Sequence, residues 1–110
     1  LSFMWYSQIG EQSGDGKDEI RNYCKFTFGC ELLIEQETND STFADFYNNL
    51  INTMNYEQCK DAMEFVQVTS MMKTKTFCKY LDCVERFAAN CGYRLTHPDD
   101  LYWLAMGVKP

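Results

Sequence analysis

The alternation of apolar and polar positions is helical over most of the chain. Phe43, Phe46, Tyr47, Leu50, Ile51 and Met54 recur in steps of three and four residues. That spacing places all six on one face of an α-helix. The opposite face carries Asp45, Asn48, Asn49 and Asn52. Ser41 or Thr42 can cap the start, and Thr42 with Asp45 three residues on resembles a capping box.

The segment 19–36 repeats the pattern less cleanly. Ile20, Tyr23, Cys24, Thr27, Cys30 or Glu31, and Ile34 share a face, while Phe26, Phe28, Leu32 and Leu33 widen it. A helix apolar on more than one side belongs at the centre of a bundle. Asp18 and Glu19 suit its N-terminus through the helix dipole. Gly29 weakens its middle and allows a kink or a close approach. Asn55, with Gln58 three residues later, predicts a third helix through Cys59, Ala62, Met63 and Val66. The stretch 69–76 (TSMMKTKT) breaks the period and predicts a turn. A fourth helix runs from about Thr76 to Cys91, and Gly92 stands where a left-handed residue would end it.

The ends read differently. Residues 1–18 predict an apolar extension, 1–6, followed by a Gly-rich polar loop. The domain proper is then 19–110. Thr96, with Pro98 and Asp99 behind it, predicts a last short helix carrying Leu101, Leu104 and Ala105 inward. No strand pair with hairpin chemistry appears, so the expected fold is all-α: four main helices and a short C-terminal one.

Length and charge narrow the function. At 110 residues one domain is expected. A net charge of −6 speaks against nucleic acid and anionic membranes, because phosphate binding needs clustered Lys and Arg. No apolar run reaches the roughly 20 residues of a spanning helix. Leu1 in place of Met, without a basic leader region, reads as a mature or trimmed product.

Six cysteines, at 24, 30, 59, 78, 83 and 91, change the picture further. Cys78 and Cys83 are a poor zinc pair with no answering pair, and His97 is the single histidine. Three disulfides in an oxidising compartment are therefore expected. Asn39 heads an N-glycosylation sequon, in keeping with secretion. Cys24 and Cys30 are about 240° apart round one helix, and Cys78 and Cys83 about 140°, so neither pair can close on itself. An antiparallel hairpin of the third and fourth helices, turning near Thr74 or Lys75, would put Cys59 opposite Cys91. Antiparallel packing of the remaining helices gives Cys24–Cys83 and Cys30–Cys78, the preferred set, and parallel packing gives Cys24–Cys78 and Cys30–Cys83.

No catalytic constellation emerges, and neither an enzyme nor a cofactor or metal is expected. The acidic loop 11–22 fails a calcium-binding frame, with Asp18 at its eighth place and Asn22 at its twelfth. The function expected is a secreted or cell-surface module binding another extracellular protein or receptor. Its candidate contacts are Trp5, Tyr6, Tyr102 and Trp103, with the small apolar and basic knob Met71, Met72 and Lys73. The alternative is an extracellular carrier of a hydrophobic small molecule such as a lipid, because Met and Phe suit such pockets.

Overall fold

The structure is a computed structural model that describes residues 2–97. Those residues are all-helical, and no strand occurs among them. Helix α1 spans Ser2–Ser13, α2 Lys17–Cys24, α3 Cys30–Gln36, α4 Thr42–Thr53, α5 Tyr56–Ala62 and α6 Thr74–Cys91. Helices α2 and α3 are joined without a break by a π-turn over Lys25–Gly29, and a 3-10 turn covers Thr69–Met71. No helix among the described residues is long and apolar enough to cross a membrane.

The first departure from expectation is α1. Its buried residues are Ser2, Trp5, Tyr6, Ile9 and Gly10, spaced at i, i+3, i+4, i+7 and i+8. That is a helical stripe in which Ser and Gly occupy two of the five inward positions. A small residue is needed at Gly10. A Cβ there would stand 2.7 Å from the carbonyl carbon of Gly16 and 2.8 Å from the amide nitrogen of Lys17. The start of α2 thus lies directly on α1. Where an extension and loop were predicted, residues 2–16 are instead a packed helix and a short turn, and Lys17 and Asp18 already belong to α2.

Two cores share the long central helix. The first gathers Trp5, Tyr6 and Ile9 of α1 with Ile20 and Cys24 of α2 and Tyr80, Val84 and Ala88 of α6. The second gathers Cys30 and Leu33 of α3, Phe43 and Leu50 of α4, Cys59 of α5, and Met63 and Val68 beyond it. Cys24 and Cys30 bracket the π-turn and face different cores. Met72 packs against both. Gly29 has no room for a side chain: a Cβ would lie 2.8 Å from Val68 Cγ1 and 3.4 Å from Tyr80 Cε1. The close approach expected at this glycine is where α6 and the turn after α5 cross the central helix.

Local chemistry marks several helix ends. Asn55 and Gln58 form the reciprocal capping box of α5. Gly92 ends α6 in the left-handed region at φ 79°. For α4 the N-cap is Ser41, and the capping oxygen comes from elsewhere: the Glu37 carboxylate accepts from the Phe43 N–H at 2.8 Å. Asp40 accepts from the Thr42 N–H at 2.9 Å, and the Thr42 bonds hold its carboxyl below the usual range.

The third and fourth helices do not form the predicted hairpin. Helix α5 stops at Ala62, and its main neighbours are α2, α4 and the π-turn rather than α6. An irregular stretch carrying the 3-10 turn separates the two helices, so reflection about Thr74 sets no register between them. After α6 the chain runs back along α1. Gln12 bonds both the N–H and the carbonyl of Arg94, and Gln8 does the same for the N–H and hydroxyl of Thr96. Two amides one helical turn apart thereby satisfy a segment with no ladder of its own.

Candidate functional site

Helix α4 carries the feature that departs most from a closed bundle. Its six-residue apolar stripe is the cleanest in the sequence, yet only Phe43 and Leu50 are buried, each 7% exposed. Phe46 is 43% exposed, Ile51 41% and Met54 42%. The main neighbours of α4 are α3 and α5 alone, so a helix patterned for deep burial sits at the rim. Full burial of such side chains is worth about 1.5–3 kcal/mol each, so the uncovered part holds on the order of 1 kcal/mol per residue. Tyr56, at the start of α5, is half exposed and meets Phe26 edge-on at 5.7 Å.

A second feature is cationic. Arg21 and Lys25 stand one turn apart on the central helix and line a cleft of about 270 Å³. The cleft lies between the start of α1 and the chain that follows α5, with Phe3, Glu64 and Ser70 on its walls. The Arg21 guanidinium pairs with Asp18 at 3.4 Å through Nη1 and donates to Asn22 Oδ1 at 3.3 Å through Nε. Its Nη2 is buried with no acceptor. Lys25 is buried, and its Nζ donates to the Met63 carbonyl at 2.5 Å. Among the described residues no carboxylate forms an ion pair with it. Burial first, and the neighbouring Arg21 charge second, hold the Lys25 ammonium below its ordinary range.

By contrast, Lys60 is a satisfied cation. Its Nζ bridges Glu19 of α2 and Glu57 of its own helix, and those hydrogen bonds raise it above the ordinary lysine range. It pins α5 to α2.

All six cysteines are thiols in the structure. Cys24, Cys30 and Cys59 are buried, Cys83 is half-buried, and Cys78 and Cys91 are exposed. Cys30 and Cys59 share the second core, and Cys30 Sγ lies 3.7 Å from Met63 Sδ. Desolvation pushes the Cys30 thiol up to about 12, and that of Cys24 likewise. After burial, Lys25 acts to lower Cys30 and a Cys59 thiolate to raise it, while a Cys83 thiolate acts to raise Cys24. A thiol so reluctant to ionise is a poor nucleophile.

The contact residues expected from the sequence are divided by the structure. Trp5 and Tyr6 are corrected: each is 3% exposed and part of the first core. Trp5 donates from Nε1 to the Thr96 carbonyl at 2.7 Å, and the Tyr6 hydroxyl bonds that of Tyr80 at 2.6 Å. Those partners explain how two amphipathic rings can be buried. Met71 and Lys73 are exposed, whereas Met72 is drawn between the cores. Asn39 is exposed in the α3–α4 connection. Tyr102 and Trp103, and the short helix expected to carry them, lie outside the described residues.

Sequence reasoning missed two things. It found the α4 stripe but did not foresee that Phe46, Ile51 and Met54 would stay partly exposed. It also passed over Arg21 and Lys25, whose signal is two cations at helical spacing on a segment judged too apolar to face water. No protein-family model matches the chain, and neither a curated protein nor a solved structure is detectably similar to it.

Proposed function

We propose that the chain is a secreted or cell-surface module that binds another protein through α4. One observation carries the reading: Phe46 and Ile51, on the two flanks of the buried Phe43–Leu50 line of α4, and Met54 at its C-cap are each about two-fifths exposed on a helix patterned for burial. Amphipathic helices with an open apolar face are partners for grooves and other helices. The exposed Phe65, Met71 and Lys73 are secondary contacts, and Tyr102 and Trp103 remain anchors expected from the sequence. A carrier that sequesters its cargo is less well supported. The clefts among the described residues open to solvent, and both cores are filled by side chains.

Secretion is proposed from the even set of six cysteines and from the exposed sequon at Asn39. In an oxidising compartment we read Cys24–Cys83 and Cys30–Cys59 as the first bonds to form. The first keeps the pairing expected from helix registration. The second pair replaces the Cys30–Cys78 bond expected from helix registration, because Cys59 lies in the same core as Cys30.

The test is capture of partners by the wild type and by Phe46→Ser/Ile51→Ser, made in the same secreting host. Loss of a wild-type partner from the double variant, with its melting temperature preserved, supports the reading. Equal capture by both removes α4 from the interface. The same comparison with Tyr102→Ala/Trp103→Ala weighs the C-terminal anchors.

A further inference from the structure

We propose that the cleft at Arg21 and Lys25 is a binding site for a monocarboxylate with an apolar chain. The proposal does not rest on α4, which contributes nothing to the cleft walls.

The head of the site is built from an electrostatic deficit. Arg21 and Lys25 are neighbouring like charges on the central helix, and one of them is buried. Arg21 has one ion pair, to Asp18, and Nη2 without an acceptor. Lys25 spends one of its three donors on the Met63 carbonyl and has no carboxylate partner among the described residues. Nη2 has no solvent exposure, so a ligand acceptor recovers the cost of that unpaired N–H only when the Arg21 side chain turns it toward the cleft. An anion between the two side chains also offsets their mutual repulsion. A carboxylate, with two acceptor oxygens, suits a guanidinium and an ammonium side by side.

The charge of the ligand is limited by Glu64, the one acidic residue on the cleft wall. It forms no ion pair with either cation. On a chain of net charge −6 this rim carboxylate disfavours a dianion and leaves room for a single negative charge.

The tail of the site is an adjoining groove of about 350 Å³. It shares Ser2, Phe3, Thr69 and Ser70 with the cationic cleft and continues to Met72 and Phe77. The polarity therefore runs from two cations at one end to an aromatic and thioether floor at the other. Phe3, 73% exposed, stands where the two meet. A ligand here would lie along the surface, open on one side, rather than be enclosed as cargo.

The test is calorimetric titration of the full chain with sodium laurate below its micellar concentration. Dodecyltrimethylammonium, which has the same tail and the opposite charge, is the control, and sodium acetate is the head without a tail. Saturable one-to-one binding of laurate is expected, with dodecyltrimethylammonium and acetate each at least tenfold weaker. Arg21→Gln should weaken laurate tenfold or more, and Arg21→Lys should restore part of the loss. In isotope-edited spectra of the wild type, the laurate chain should contact the Phe3 and Phe77 rings. That readout needs no variant to fold. No laurate binding, equal binding of both surfactants, or laurate contacts elsewhere would each overturn the proposal.

Discussion

Gly10 is the position at which one methyl group tests how α1 is seated. In Gly10→Ala the new carbon meets only backbone: Gly16 carbonyl carbon at 2.7 Å, Lys17 nitrogen at 2.8 Å and Gly16 oxygen at 3.0 Å. No side chain can swing aside, so α1 and the start of α2 must separate by several tenths of an ångström. Behind that contact lie Trp5, Tyr6, Ile9, Ile20 and Cys24, half of the first core and more. Overpacking of this kind costs about 1–3 kcal/mol, and the rigidity of the obstacle favours the upper half. Replacing Gly by Ala within a helix returns about 1 kcal/mol. The net expectation is a destabilisation of about 1–2 kcal/mol. With urea slopes of about 1–3 kcal/mol per molar for small domains, the midpoint should fall by roughly 1 M. Ser7→Ala in the same helix is the control, expected to be neutral or to gain a few tenths of a kcal/mol. A Gly10→Ala protein as stable as the wild type, or more so, would refute the contact and with it the placement of α1.

Three further outcomes are expected. Tyr80→Phe removes the Tyr6–Tyr80 bond and leaves the buried Tyr6 hydroxyl to Ser2, and should cost about 1 kcal/mol, while Tyr6→Phe/Tyr80→Phe should recover part of that loss. Burial raises Tyr6 to about 12 from 10, so the folded state holds this proton more tightly than the unfolded one. The resulting stability is complete below pH 10 and is lost between pH 10 and 12. Burial raises Tyr80, Cys24 and Cys30 as well, so in thermal melts stability should fall steeply across that range in the wild type and less steeply, but not to a flat profile, in Tyr6→Phe. Under non-reducing peptide mapping of oxidised protein, Cys24–Cys83 and Cys30–Cys59 should be recovered. Each closes a loop worth about 4 kcal/mol in the chain-entropy account, so reduction should lower the urea midpoint sharply. Recovery of Cys59 with Cys91 would restore the hairpin register that the structure does not show.

Most of the helices were legible because period and punctuation agreed. Asn55 with Gln58, the stripe of α4 and the left-handed Gly92 each marked an element by local chemistry, and the structure has all three. Helix α1 was hidden because Ser2 and Gly10 stand at inward positions, where a hydrophobicity pattern registers nothing. Their smallness is a tertiary requirement, set by how close α2 lies. Trp5 and Tyr6 then looked like surface anchors, since their hydrogen-bond partners, Thr96 and Tyr80, are far off in sequence. The end of α5 at Ala62 was hidden for a related reason: the stripe continues to Met63 and Val66, but Met63 and Val68 reach the second core from a turn. Exposure of α4 was beyond reach for a different reason. An amphipathic stripe says that a face will be covered, not whether this chain or another covers it.

The account stands on that last point, and site-resolved photocrosslinking addresses it directly. A benzophenone amino acid would replace Phe46, Ile51 or Met54 on the apolar face, and Asn48 or Asn52 on the polar one. After irradiation in the secreting host, the account predicts the same discrete crosslinked protein from all three apolar positions and from neither asparagine. Crosslinks of equal yield from both faces, or none from the apolar face while the protein remains folded, would contradict it.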